Sequence, residues 1–571
     1  MNPHLGEICV SPSATIREAM QRLAANKPYQ TNLPAGIILV VEGRTLLGIA
    51  TDGDIRRALA GGAGLEVPIG SIMNKTPFLI EGPKSNVEIL SLVVDKIKQE
   101  QWHKDRLDKI VVVDAKRRVL DVVSFYDLWQ SSDVRFKHVG VVGLGYVGLT
   151  LSLVLADLGF KVRGFDANPA VTRSLRAGKA HIYEAGLAAL LADHNRKKFT
   201  VVDDFRGENN CDVYFVAVGT PLTKRKVPDV SALTAAAKNI GGVLKRSDLV
   251  ILRSTVPVGT TREVVIPVLE KASGLTAGVD FLVSFAPERT IEGRALEELR
   301  TLPQVIGGIN HASADLTANI FSFLTHSNVI LDSLEEAEMV KLINNSYRDL
   351  TFAFANEIAL IGRRWAINAK RVIDAANYGY ARSHVPQPSP GVGGYCLEKD
   401  PHILAHSARI KDHESLLLTN ARAVSDRMLD TIASDMHEFL KARHASVRKP
   451  KIFLLGFAFK GVPATSDVRG STTVALVERL RAKGYTNIHG YDPVVRKGDI
   501  TASRVAHVAD PKAGFAGAHL VGVMNNNATF GSLGMRALLR ACAKPAMLFD
   551  PWSLYAPEEI AKVRGISHVR L

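Results

Sequence analysis

The sequence predicts an α/β fold: two doubly wound units joined by an all-helical segment and preceded by a small α+β repeat. Three observations carry this. An apolar strand runs directly into a glycine-rich turn and an apolar helix at residues 138–157. A second strand–helix–strand run occupies residues 451–493. Between them, a periodic segment opens at Ser333 and contains no Gly or Pro until Gly362, a length that only a helix sustains. Ser333 and Glu336 have the spacing of a capping box at its start.

The bulk properties fit this plan. At roughly 150 residues per domain, 571 residues suggest about four units. The boundaries fall at 1–132, 137–332, 333–445 and 449–571. A chain 46% hydrophobic and 22% charged builds ordinary globular cores. The net charge of +14 is scattered, which fits a soluble basic surface or clefts for dinucleotides and sugar nucleotides. No basic run carries interleaved aromatics, so nucleic acid is not expected as a partner. Cys9, Cys211, Cys396 and Cys542 lie far apart with no CxxC pair, so neither a metal site nor a disulfide framework is expected, and a reducing cytoplasm fits best. The N-terminus lacks the charged start and apolar core of a secretory signal, and no apolar run is long enough for a bilayer.

The first 132 residues contain a weak internal repeat. ATIREAMQRL with GIILVVEGRTLLGIATDGDIRRAL is one copy, and SNVEILSLVVDKI with DKIVVVDAKRRVLDVVSFYDLW is the other. Each reads helix, strand, turn, strand, helix. Thr51 and Asp54 in the first copy match Ser124 and Asp127 in the second. An acid after a hydroxyl at a strand-to-helix junction can cap the helix, or hold ribose hydroxyls beside a helix N-terminus that faces phosphates. This repeat resembles a CBS (cystathionine β-synthase-type) domain pair, which implies an adenine nucleotide as a possible ligand of these four residues.

The glycine turn comes next. Gly143, Gly145 and Gly148 form G-x-G-x-x-G after the strand, and Asp166 ends the following strand. In this context the motif predicts a Rossmann-like dinucleotide site, with the turn (Gly143, Gly145, Tyr146, Val147, Gly148) at the pyrophosphate. Asp166 would accept from the ribose hydroxyls and repel a 2′-phosphate, which favours NAD over NADP. The segments VYFVAVGTP and LVILRSTVPVGTT place Gly219, Thr220, Pro221, Ser254 and Thr255 at the carboxyl edge of the sheet, where such folds bind ligands.

Cys396 lies in PSPGVGGYCLEKDP, between Gly- and Pro-rich turns, and is expected on a loop. Taken alone it reads as an inert thiol. Its neighbours change that: Asp400 is four residues on, Lys341 and Asn345 share a helix face, and Glu288 follows a strand in SFAPERTIEG.

Here a resemblance enters. From Lys137 onward the chain is similar to the UDP-glucose/GDP-mannose dehydrogenase family, through GLGYVG, VAVGTP, STVPVGTT, APER, EAEMVKLINNSYRD, PGVGGYCLEKDP, GFAFKG and DVRGS in that order. The resemblance implies two Rossmann-like domains around a central helical dimerisation domain, and a homodimer or larger assembly. It also implies oxidation of a sugar nucleotide to the acid. Lys341 and Asn345 would stabilise the alkoxide. Cys396, its pKa lowered by Lys341, would form a thiohemiacetal and then a thioester. Glu288 would be the general base for hydrolysis, with Thr255 and Asp400 positioning and polarising. Lys460, Arg469 and Gly393, with Glu288, Lys341 and Asn345, would hold the UDP-sugar, and Arg382 would come from a neighbouring subunit. NNSYRDLTFAFANEIA resembles the UDP-N-acetylhexosamine branch, whereas Tyr395 and Lys399 in the cysteine segment depart from that branch, and Lys399 is closer to UDP-glucose enzymes. The competing reading, a non-catalytic nucleotide sensor, is disfavoured by the joint presence of Cys396, Lys341, Asn345, Asp400 and Glu288.

Overall fold

The computed structural model describes residues 4–26, 33–82, 89, 109–124 and 137–571. The N-terminal repeat is visible in its sheets. Cys9–Val10, Ile37–Glu42 and Thr45–Thr51 form one three-stranded sheet; Leu79–Glu81, Lys109–Val113 and Val119–Ser124 form the other. In both, the first pair is parallel and the second antiparallel, and the hairpin register shifts at the equivalent point, Val40/Val41 and Val112/Val113. Leu39, Ile49, Val111 and Val122 share one core between the copies. Phe78, Ile80, Ile110 and Val112 belong to the same apolar cluster as Val139 and Leu153, so the second copy is joined to the unit that follows.

That unit is an eight-stranded sheet in the order Asn328–Leu331, Gln304–Gly308, Leu282–Phe285, Leu249–Leu252, Val213–Val216, His138–Val142, Lys161–Phe165, Phe199–Val201. Its last six strands have the spatial order 3-2-1-4-5-6 of a dinucleotide-binding sheet, and only the Leu282–Phe285/Gln304–Gly308 pair is antiparallel. The C-terminal unit repeats the order in six parallel strands: Ala506–His507, Ile488–Tyr491, Ile452–Leu455, Leu520–Val523, Ala546–Phe549 and Ile566–Val569. Each sheet therefore reverses direction beside its first strand, and the crevice at that reversal is the expected ligand edge. The central strands are buried on both faces, as their unbroken apolar runs require.

The helix Leu334–Arg364 connects the two sheets. Its start, at Leu334 and Ala337, is buried in the first unit's core, and Ala359 is buried with the C-terminal unit's core. At 1.5 Å per residue it is roughly 46 Å long. Ser333 caps it by accepting from Glu336 N–H at 3.2 Å. The reciprocal half of the expected capping box is displaced by one residue, because the Glu336 carboxylate accepts from Asp332 N–H at 2.9 Å instead. The helices Tyr395–Ile410 and Leu416–His444 pack along it. Among the described residues, no helix is long and apolar enough to cross a membrane.

Candidate active site

The glycine turn has the steric signature of a phosphate cradle. Gly143 has φ +90°, and a Cβ there would lie 2.8 Å from Ala217 O. A Cβ on Gly148 would lie 1.8 Å from Gly143 O, so only glycine lets the helix Tyr146–Asp157 seat on its strand. At Gly145 a Cβ would meet open space, the side from which a pyrophosphate could approach the helix N-terminus. Asp166 accepts from Leu144 N–H and Asn168 N–H, both at 2.8 Å, and so holds the turn while remaining half-exposed for a ribose. The residues present thus fit NAD. Val147 lies in the first turn of the helix, and the Tyr146 hydroxyl is turned to Glu184, a buried acid.

Across the reversal, Thr220 donates to Thr255 O and accepts from Lys399 Nζ at 3.1 Å, while Ser254 donates to Val216 O at 3.3 Å. The carboxyl edge of the first sheet therefore meets the cysteine segment through Lys399.

That segment differs from the expected loop. Cys396 is the second residue of the helix Tyr395–Ile410, entered through Gly394 at φ +100°. Pro401 lies inside this helix. A Cβ on Gly393 would fall 2.6 Å from Gly470 O, so the approach to the cysteine runs hard against the C-terminal unit. Cys396 is exposed at the cleft, whereas Cys211 and Cys542 are buried. The protein mass around it pushes the Cys396 thiol pKa up, Lys341 and Lys399 oppose this, and Asp400 adds to it. Lys341 thus acts in the expected direction, but loss of hydration among the surrounding protein atoms outweighs it.

Lys341, Asn345 and Asp400 do converge. Asn345 Nδ2 donates to Asp400 Oδ2 at 2.6 Å, and Lys399 Nζ lies 3.6 Å from Oδ1 of this fully buried acid. Lys341 Nζ donates to the Glu288 carbonyl at 2.5 Å. The Glu288 side chain is buried and fully engaged: Arg253 Nη2 lies 2.5 Å from Oε2, and the Arg289 and Thr290 N–H groups donate to Oε1 at 2.8 Å. Although burial alone would raise its pKa, the Arg253 guanidinium and these donors hold it below the usual carboxylate range. An anchored, acidic carboxyl is a poor proton acceptor.

Four residues on, Glu292 has the opposite environment. Burial and Asp467 push its carboxyl up to about 7, against Arg469 and Lys460. Lys460 Nζ donates to Glu292 O at 2.7 Å, and burial pushes its pKa down to about 8. Arg469 pairs with Asp467 at 2.6 Å and stacks over the Tyr395 ring at 4.7 Å. Lys399 Nζ also lies over that ring, 5.1 Å from its centroid. Arg382 is exposed and rests over Tyr380 at 5.1 Å, outside this cluster.

In the N-terminal module, Thr51 and Asp54 form a reciprocal capping box, and Arg57 reaches Asp54 Oδ1 at 2.5 Å. Ser124 ends the strand Val119–Ser124, and Asp127 lies outside the described residues.

Sequence reasoning missed Arg253, Glu292 and Glu184, and took Lys399 only as a marker of the substrate branch. Glu292 left a local signal, a second acid four residues after Glu288; Arg253 and Glu184 meet partners 35–111 residues away, and Lys399 reaches Thr220 across 179 residues.

Comparison with known proteins agrees with the geometry. The UDP-glucose/GDP-mannose dehydrogenase family matches through its NAD binding domain at residues 137–325, its central domain at 335–427 and its UDP binding domain at 453–557. A CBS domain matches residues 1–61. The chain is 35% identical over 377 residues to a UDP-N-acetyl-D-mannosamine dehydrogenase of Pyrococcus horikoshii, covering 65% of this chain and 87% of that one. It is 33% identical to a UDP-N-acetyl-D-glucosamine 6-dehydrogenase of Pseudomonas aeruginosa, over 63% of this chain and 84% of that one. The solved UDP-glucose dehydrogenase of Pyrobaculum islandicum superposes with a TM-score of 0.67 at 26% identity, covering 76% of this chain and 98% of that one.

Proposed function

The chain belongs to the UDP-glucose/GDP-mannose dehydrogenase family, and on that premise we propose that it oxidises the C6 hydroxyl of a UDP-N-acetylhexosamine to the uronic acid, for surface polysaccharide precursors. The observation that carries this is the convergence of an exposed Cys396 with Lys341, Asn345 and Asp400 beside the carboxyl edge of a dinucleotide-binding sheet. The acetamido sugar is supported by the segment NNSYRDLTFAFANEIA and by the substrates named for the two relatives.

Gly143, Gly145, Gly148, Asp166, Thr220, Ser254 and Thr255 would hold NAD, which would supply the hydride acceptor, two molecules per sugar. Lys341 and Asn345 present a cation and an N–H donor to the negative oxygen that forms as the C6 hydroxyl gives its proton to water. Once that alkoxide has given up the first hydride from C6 and become the aldehyde, the Cys396 sulfur bonds to the aldehyde carbon, and the thiol proton passes to the carbonyl oxygen. Loss of the second hydride from carbon, with the hydroxyl proton released to water, leaves a thioester. Water adds to the thioester carbon, the C–S bond breaks, and the thiol is regenerated beside a carboxylate. We assign the proton-accepting role in that last step to Glu292, because a carboxyl titrating near neutrality suits it and the expected base, Glu288, is tied to Arg253. Glu288 instead seats Lys341 through its carbonyl.

Lys460 and Arg469 bind the diphosphate. Met339, Ile343, Tyr347, Phe354, Ile361 and Trp365 form one exposed apolar stripe along the long helix, which supports a homodimer in which Arg382 serves the neighbouring site. The CBS repeat binds an adenine nucleotide and regulates turnover; a reducing cytoplasm suits the free thiols.

The test is Cys396→Ser with NAD and either UDP-N-acetylmannosamine, UDP-N-acetylglucosamine or UDP-glucose. We expect wild type to prefer an acetamido sugar and the variant to stop after partial oxidation. Full four-electron turnover by the variant would overturn the covalent role; inertness of wild type towards all three would overturn the enzyme reading.

A further inference from the structure

Tyr146 belongs to the cofactor turn, yet its hydroxyl is spent on the protein. It donates to the Glu184 carboxylate and accepts from Gly293 N–H at 2.8 Å. Glu184 is 5% exposed. It accepts from the same Gly293 N–H at 2.7 Å and from Ala295 N–H at 2.8 Å. A buried carboxylate with this many donors fixes the peptide it grips.

The other side of that peptide faces the C-terminal unit. Glu292 O accepts from Lys460 Nζ at 2.7 Å, and Glu292 Oε2 accepts from Thr465 Oγ1 at 3.3 Å. Gly293 has φ +94°, and a Cβ there would lie 2.8 Å from Ala464 O and 3.0 Å from Pro463 Cβ. The Glu292–Gly293 peptide is thus clasped between the cofactor turn and the 460–465 loop. Displacing it would move the acceptor that orients Lys460, and misplacement on the ångström scale is costly for a positioned charge.

We propose that Tyr146, acting through Glu184 and Gly293, is a positioning residue for the UDP half of the substrate rather than a side-chain contact for the cofactor. This rests on reading the C-terminal unit as the nucleotide-diphosphate handle. Coupling passes through one contiguous hydrogen-bonded chain, the kind of link that a single-atom deletion can interrupt.

The experiment uses the full chain as wild type, Tyr146→Phe and Glu184→Gln. UDP binding is measured by calorimetry and NADH binding by fluorescence. Part of the lost hydrogen bond's effect reaches Lys460 through the intervening peptide, so UDP binding should weaken about three- to tenfold in both variants and NADH stay within about twofold. The first-order check in turnover is a raised KM for the sugar nucleotide with an unchanged KM for NAD. Weakened NADH with unchanged UDP, equal weakening of both, or no change in either overturns the proposal. Wild type that fails to bind UDP would overturn the handle reading itself, whereas wild type that binds it beside unaltered variants overturns only the role of Tyr146.

Discussion

Replacing Asn345 by alanine tests the centre of the site. Among the described residues, the side-chain hydrogen bond to Asp400 comes from Asn345 Nδ2 at 2.6 Å, and Asp400 is fully buried with Oδ1 making none. Lys399 stands 3.6 Å away, an attraction of about 5 kcal/mol before desolvation at an effective dielectric of ~20. That attraction survives the substitution, so Asp400 keeps Lys399 beside it and loses its one short donor, which costs about 1.5–3 kcal/mol. Asn345 is also assigned to the reacting oxygen, and deleting such a donor costs about 10²–10³ in kcat. Calorimetric unfolding and the pre-steady-state NADH burst measure the two losses separately. In the double variant Asn345→Ala/Asp400→Asn the attraction to the buried Lys399 is lost as well, so the unfolding midpoint should fall further while the burst stays slow. An unchanged midpoint in Asn345→Ala, or a normal burst in the double variant, would refute the reasoning.

Three further outcomes are expected. UDP-N-acetylglucosamine should bind best below about pH 7 and progressively less well towards pH 9, because Glu292 gains its negative charge near 7 and Lys460 loses its positive charge near 8; calorimetry across this range checks it, and Lys460→Met should flatten the upper part. Glu338→Ala should lower both stability and kcat, because its buried carboxylate accepts from Gly259 and Thr261 N–H at 2.5 and 2.8 Å and so ties the strand-end loop carrying Thr255 to the helix carrying Lys341; each orphaned donor costs about 1–3 kcal/mol. AMP or ATP should change the rate or the oligomeric state, and deleting residues 1–132 should abolish the effect; sedimentation and initial rates that ignore both nucleotides would end the regulatory reading.

What the sequence revealed followed the range of the interactions. The glycine turn was legible because strand, turn, helix and acid follow each other within thirty residues, and each glycine answers to a local steric demand. Lys341 and Asn345 were legible as a pair because helical periodicity alone puts them on one face. The position of Cys396 was misread because Pro401 and the preceding glycines signal a loop, while the helix that contains the cysteine is held by contacts with Gly470 and Phe459 from the far end of the chain. The character of Glu288 was equally hidden. Nothing near it in sequence announces that Arg253 is buried beside it, so a candidate base turned out to be an anchored anion.

The four thiols are not chemically equivalent, and this matters for anyone wishing to inhibit the protein. Burial pushes Cys211 up to about 12 and Cys542 up to about 11, and Cys9 is raised as well. Cys396 is the exposed one, yet its own pKa is also raised, so an indiscriminate alkylator finds little thiolate anywhere on the resting molecule. Selectivity must therefore come from residence rather than reactivity. A UDP-sugar carrying a mild electrophile at its sixth carbon would be held over the cysteine long enough to react, and one adduct per chain, counted by mass spectrometry and suppressed by excess UDP, is the signature of that address.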